Sequence, residues 1–155
     1  MKELRFIVGS LVNLKDELMK PIESIMLKKL PHGENVSVVL RHSDGSGLLI
    51  QSEMYDVGER CEIGVLDFSL IDEVDGEFLR VKAKNLSNVK LNASKLVIHD
   101  FGVKAESGVC LSDENDNRII IVAGAFPNTI SIMASFISDK FEPEYPISAY
   151  ISESL

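Results

Sequence analysis

The sequence predicts an α+β protein, with an N-terminal helix packed on a mostly antiparallel β-sheet of about seven strands. Three observations carry this expectation. Apolar residues between Leu11 and Leu30 recur at spacings of three and four, as on one face of a helix. After Gly33 the pattern changes to short apolar or alternating runs separated by tight turns. No helical pattern intervenes between those runs, which argues for antiparallel pairing. At 155 residues the chain fits one domain and is long enough to bury a core without staples. The expected organisation is a helical region over residues 1–30, a sheet over 31–140, and a tail or edge strand over 141–155.

In the helical region, Leu11, Leu14, Leu18, Ile22, Ile25 and Met26 form the apolar stripe, and Ser10 or Asn13 is the cap. Pro21 interrupts it, so the helix is expected to end or break near Lys20. Leu4–Val8 reads as a short lead-in strand. Val36–Arg41 and Leu48–Met54 read as strands around the turn Ser43–Gly47. In Arg60–Ile71 the apolar parity changes between Val65 and Phe68, which implies a bulge or burial on both faces. Phe78–Ala83 alternates cleanly. Asn85–Ser94 reads as a polar connection anchored by Leu86, Val89 and Leu91. Leu96–His99, Gly108–Leu111, Arg118–Ala123 and Thr129–Phe136 read as strands. Ile119–Val122 is apolar without alternation, as in a central strand covered on both faces, with the helix covering one of them.

The formal charge of −8, from 24 acidic against 16 basic residues, bears on function. Such a field disfavours nucleic acid, whose phosphates must be met by Lys and Arg. It would steer a basic protein partner towards the chain, although acidity also simply maintains solubility. Cys61 and Cys110 lie in strand-like runs without metal-ligand spacing, so free thiols are expected. No signal peptide and no run of about 20 apolar residues is seen. The expected compartment is the cytoplasm, with no membrane association. The N-x-S triplets at Asn35, Asn85 and Asn92 then carry no glycosylation.

No catalytic motif stands out. Asp113, Asn115 and Asn117 match the start of a calcium loop, but Arg118 replaces the required Gly and Gly124 the required Glu. A hairpin turn accounts for them better. Gly124–Asn128 lacks both phosphate-binding glycine patterns and reads as a turn between buried strands. His99 and Asp100 are adjacent, and strand neighbours point to opposite faces, which removes them as a base and its orienter. Acidic residues form two groups: Glu53, Asp56, Glu59 and Glu62 around Tyr55, and Asp72, Glu73 and Asp75 with Asp67 and Glu77 near the third turn. These are either a solvated face or a docking surface, with Tyr55 as its aromatic anchor. No metal site and no cofactor is expected.

The segments LLIQSEMYDVGERCEIGVLDFSLID and ESGVCLSDENDNRIIIVAGAFPNTISI, with the short acidic tail, resemble small bacterial proteins. The second resembles segments of immunity proteins from bacterial toxin systems. The resemblance spans about half the chain, rests on strand and turn texture, and transfers no specific residue. It implies a cytoplasmic antidote that docks on a toxin and occludes it. The expected function is therefore a non-enzymatic acidic binding protein whose partner is a basic toxin domain. The alternatives are a small-molecule or enzymatic domain using the carboxylates around a sheet pocket, and a structural homo-oligomer.

Overall fold

Strand pairing organises nearly the whole chain. The computed structural model describes residues 2–84 and 86–155. In chain order the elements are β1 (Lys2–Leu4), β2 (Ile7–Val8), α1 (Leu14–Met19), β3 (Ile22–Lys29), β4 (Asn35–His42), β5 (Gly47–Gly58) and β6 (Cys61–Ile71). They continue with β7 (Phe78–Lys82), β8 (Asn92–Asp100), β9 (Val103–Ser112), β10 (Arg118–Ala123), β11 (Ile130–Met133) and β12 (Ile151–Ser154). Asn85, the first residue of the expected polar connection, lies outside the described residues.

The strands form one mixed sheet that curls on itself. β9, β10, β11, β4, β5 and β6 follow one another through hydrogen-bonded ladders. The N-terminal segment closes this path into a ring: β1 pairs parallel with β9, and β2 pairs parallel with β6. At the gap between β1 and β2, the Phe6 N–H donates to Glu106 Oε1 at 2.8 Å, and the other Glu106 oxygen pairs with Lys95. A side chain thus completes the seam where the ladder lapses. β8 and β12 extend the sheet outward from β9, and β3 and β7 extend it from β4. β7 and β12 are short edges, which limits unwanted pairing.

The expected α+β architecture is overturned. The only α-helix among the described residues is α1, six residues long. It begins at Asn13, whose Oδ1 accepts the Asp16 N–H at 3.4 Å, and ends before Pro21, as the proline requires. Beyond it the expected helical stripe is a strand. β3 shifts register between Ile22 and Ser24. One extra residue at a bulge puts positions three apart on the same face, so Ile22 and Ile25 both enter the core. A bulged strand therefore reproduces helical spacing. Leu11, assigned to the same stripe, is 86% exposed.

The main core gathers Leu18, Ile25, Leu40, Ile50, Phe68 and Ile121 inside the curl. Phe6 packs edge-on against Phe68, with ring centroids 5.1 Å apart. β10 is buried on both faces. Ile119 and Ile121 face the main core, and Ile120 and Val122 face Leu96, Phe141 and Tyr150. The second cover is the C-terminal segment, not the helix. β6 is likewise buried on both faces, with Ile63 and Val65 in one cluster and Leu66 and Phe68 in the other. That double burial explains its parity change.

Candidate protein interface

The β5–β6 hairpin carries the sequence-predicted site residues and separates them into two groups. Its ladder runs from Gly47 opposite Ile71 to Gly58 opposite Cys61. Asp72, Glu73 and Asp75 follow the first end, and Tyr55, Asp56, Glu59 and Glu62 surround the second. Gly47 and Tyr55 are eight residues apart, roughly 27 Å at about 3.4 Å per residue. The acidic groups are thus two separate surfaces. Asp72, Glu73 and Asp75 all stand exposed in the connection to β7.

The tip is locally unfavourable in two ways. Asp56 lies directly across from Glu62, and opposed like charges destabilise a strand pair. Glu59 and Arg60 both take positive φ, 47° and 64°, after Gly58 at 107°. A two-residue hairpin turn needs this handedness, and Asn-Gly is the sequence that supplies it without strain. Two residues with full side chains adopt it here at a steric cost. Among the described residues, Glu53, Asp56, Glu59 and Glu62 make no ion pair. Tyr55 is 38% exposed beside them. Glu53 also acts on Asp67 one strand over. Burial, and then the Glu53 charge, push the Asp67 carboxyl above its ordinary range.

Just below its tip the same hairpin is tightly fitted. A Cβ on Gly64 would lie 2.7 Å from Ala123 Cβ and 3.0 Å from Ser52 Oγ, so only glycine allows β6 to cross β10 here. The Gly64 N–H donates to the Glu144 carboxylate at 3.1 and 3.2 Å, and Ser107 Oγ donates to the Gly64 carbonyl at 2.6 Å. Burial holds the Glu144 carboxyl above its usual range. Val57, Tyr145 and Tyr150 all pack against the cluster of Leu4, Ile63, Val65, Ile98, Val103 and Ala105, so the strand below the tip and the C-terminal segment share one core. Tyr145 donates from its hydroxyl to Asp100 Oδ2 at 2.9 Å. Sequence reasoning missed Glu144 and Tyr145 because a proline-containing terminus reads as a tail. Their signal is the cluster Phe141–Tyr145, whose aromatic residues seek burial.

A second polar assembly lies at the far end of β4. His42 is 1% exposed, and neither ring nitrogen has a hydrogen-bond partner. Its Nε2 stands 3.4 Å from Glu17 Oε2 on α1, with Lys20 and Asp44 near by. Burial outweighs the Glu17 charge and lowers the His42 pKa. The polar turn after β9 is self-contained: Asp113 Oδ1 accepts the N–H groups of Asn115 and Asn117, and Oδ2 accepts Asn117 Nδ2. Its carboxylate is satisfied by its own loop, as expected of a hairpin turn. No group of three or more potential metal ligands occurs among the described residues. Among the described residues, no helix is long and apolar enough to cross a membrane. No protein-family model, curated protein or solved structure matches the chain.

Proposed function

We propose that the chain is a binding protein that docks a basic protein partner through the β5–β6 tip. In its most concrete form it is an immunity protein occluding a cognate toxin. The observation that carries this reading is the set of unpaired carboxylates around Tyr55 on a strained turn. Strain and like-charge opposition persist where the rest of the fold overdetermines them, and they recur at binding sites. A basic partner would relieve the Asp56–Glu62 repulsion, so docking gains what the free chain forgoes. Asp72, Glu73 and Asp75 belong to the opposite end and would contribute only long-range steering.

The test is co-expression with the product of the adjacent gene, followed by measurement of complex formation and of protection from toxicity. Charge reversal at Glu53, Asp56 and Glu59 together should weaken binding at least tenfold while the melting temperature holds or rises. Reversal at Asp72, Glu73 and Asp75 should leave the complex intact at physiological salt. A complex that tolerates the first set of substitutions would remove the tip from the interface. An absence of both complex and protection would remove the immunity reading.

A further inference from the structure

Strand β7 forms an open edge of the sheet. Among the described residues it pairs with β3 alone, from Ser24 opposite Lys82 to Lys28 opposite Phe78. In an antiparallel ladder, alternate residues turn their N–H and C=O groups towards the partner strand. The Ala83 N–H donates to the Glu23 carbonyl at 3.0 Å, so the backbone groups of Ala83, Val81 and Leu79 face β3. Those of Arg80 and Lys82 therefore point outward, as a template for a further strand.

The side chains of this edge differ between its faces. Leu79 and Val81 share one face. Val81 packs against the main core, but Leu79 is 55% exposed, with no strand beyond β7 to cover it. Phe78, Arg80 and Lys82 share the other face. Arg80 pairs with Glu23 at 2.7 Å, and Lys82 has no ion pair among the described residues. Glu77, just ahead of the strand, reaches this face too: it holds Lys28, which lies opposite Phe78, at 2.9 Å, and its side chain stays 69% exposed. The edge is thus acidic at Asp75 and Glu77 and basic at Arg80, Lys82 and Lys84. Antiparallel pairing of two copies sets the acidic end of one against the basic end of the other, as a self-complementary contact about a two-fold axis requires.

The charges also select the register. The faces of two identical strands match only when a residue lies on the axis. An axis at Arg80 opposes the two Arg80 side chains, and an axis at Val81 opposes Arg80 to Lys82 twice. Like charges so placed destabilise a strand pair. An axis at Leu79 avoids both. The two leucines then meet, each Phe78 ring lies opposite Arg80 of the other copy, and each Lys82 lies opposite Gly76 beside Glu77.

We propose that β7 pairs with β7 of a second copy, antiparallel and centred on Leu79, to form a reversible homodimer. The contact is confined to one short strand from each copy, below the roughly 1,200 Å² of a standard interface, so the dimer is weak. The tip of β5–β6 stands at the opposite end of its hairpin from Asp72, so the pairing leaves both tips free and does not depend on the docking reading.

The test is sedimentation velocity of the full-length protein at concentrations up to about 1 mM, joined to crosslinking by mild oxidation. The expected result is a concentration-dependent monomer–dimer equilibrium that Leu79→Lys weakens at least tenfold. Leu79→Cys brings two thiols together at the axis, whereas Lys82→Cys places its thiol opposite Gly76. The first should crosslink at least tenfold faster than the second, with Cys61 and Cys110 common to both. Leu79 and Lys82 are exposed, and an unchanged melting temperature checks that the variants fold. A monomer at every concentration, an undiminished dimer in Leu79→Lys, or equal crosslinking at the two positions would overturn the assignment. A variant with the tip charges reversed should dimerise as the native chain does, so the two proposals fail separately.

Discussion

Two neighbouring stretches of strand β6 serve opposite purposes. At Gly64 every backbone group is paired: Glu144 takes the N–H, Ser107 serves the carbonyl, and Ala123 fills the space that a side chain would need. A few residues away, Glu62 faces Asp56 across the ladder, and the turn holds Glu59 and Arg60 in left-handed backbone. One region has been brought to close fit, and the other keeps charge repulsion and strain. The difference shows that the tip is supported by the stretch directly beneath it, because only a rigid support sustains an unfavourable tip.

Gly64→Ala should be the most damaging substitution. The added methyl meets Ala123 Cβ at 2.7 Å, where sheet backbone on both sides resists movement. The expected loss is about 3 kcal/mol in urea unfolding, and a loss near zero would show that β6 and β10 separate freely. Glu144→Leu comes next. It leaves the Gly64 N–H without its acceptor, for a loss of about 2 kcal/mol, and Glu144→Gln should recover most of it. Equal losses for Leu and Gln would mean that the carboxylate acts by charge and not as an acceptor.

Acid should expose the second polar assembly. The His42 pKa lies below its ordinary 6.5, with burial as the first cause. The folded state therefore favours the neutral ring. The associated stability is full above pH 6.5 and is lost as pH falls through the lowered value. Glu17, Lys20 and Asp44 surround the ring, so His42→Leu should flatten this part of the stability profile without touching them. A variant that loses stability over the same range would place the acid sensitivity elsewhere. The smallest effect is expected at the tip, where Asp56→Thr should stabilise the free chain by about 0.5 kcal/mol through relief of its opposition to Glu62. Destabilisation there would show that the carboxylate has an unrecognised partner.

Much of the strand content was legible because it rests on local rules. Ile119–Val122 lacks alternation, and β10 is indeed buried on both faces. The parity change in β6 likewise reports double burial, and the knot around Asp113 is the hairpin turn that its residues favour. The helix assignment failed because a bulge at Ile22 and Ser24 mimics helical spacing, and hydrophobic periodicity alone does not separate the two. Ring closure depends on two short parallel pairings, Lys2–Leu4 with β9 and Ile7–Val8 with β6, which no local pattern specifies. The C-terminal cover was hidden by its prolines. The acidic residues were legible as charges but not as places. Only the pairing register shows that Asp72, Glu73 and Asp75 stand at the opposite end of the hairpin from Asp56 and Glu62.

The strain at the tip can be measured without any partner, in the unfolding free energy of the double substitution Glu59→Asn with Arg60→Gly. Asn-Gly fits this turn without steric cost, so the variant should be more stable than the native chain by about 1–2 kcal/mol. Equal or lower stability would contradict a strained tip and would remove the principal support for its role in docking.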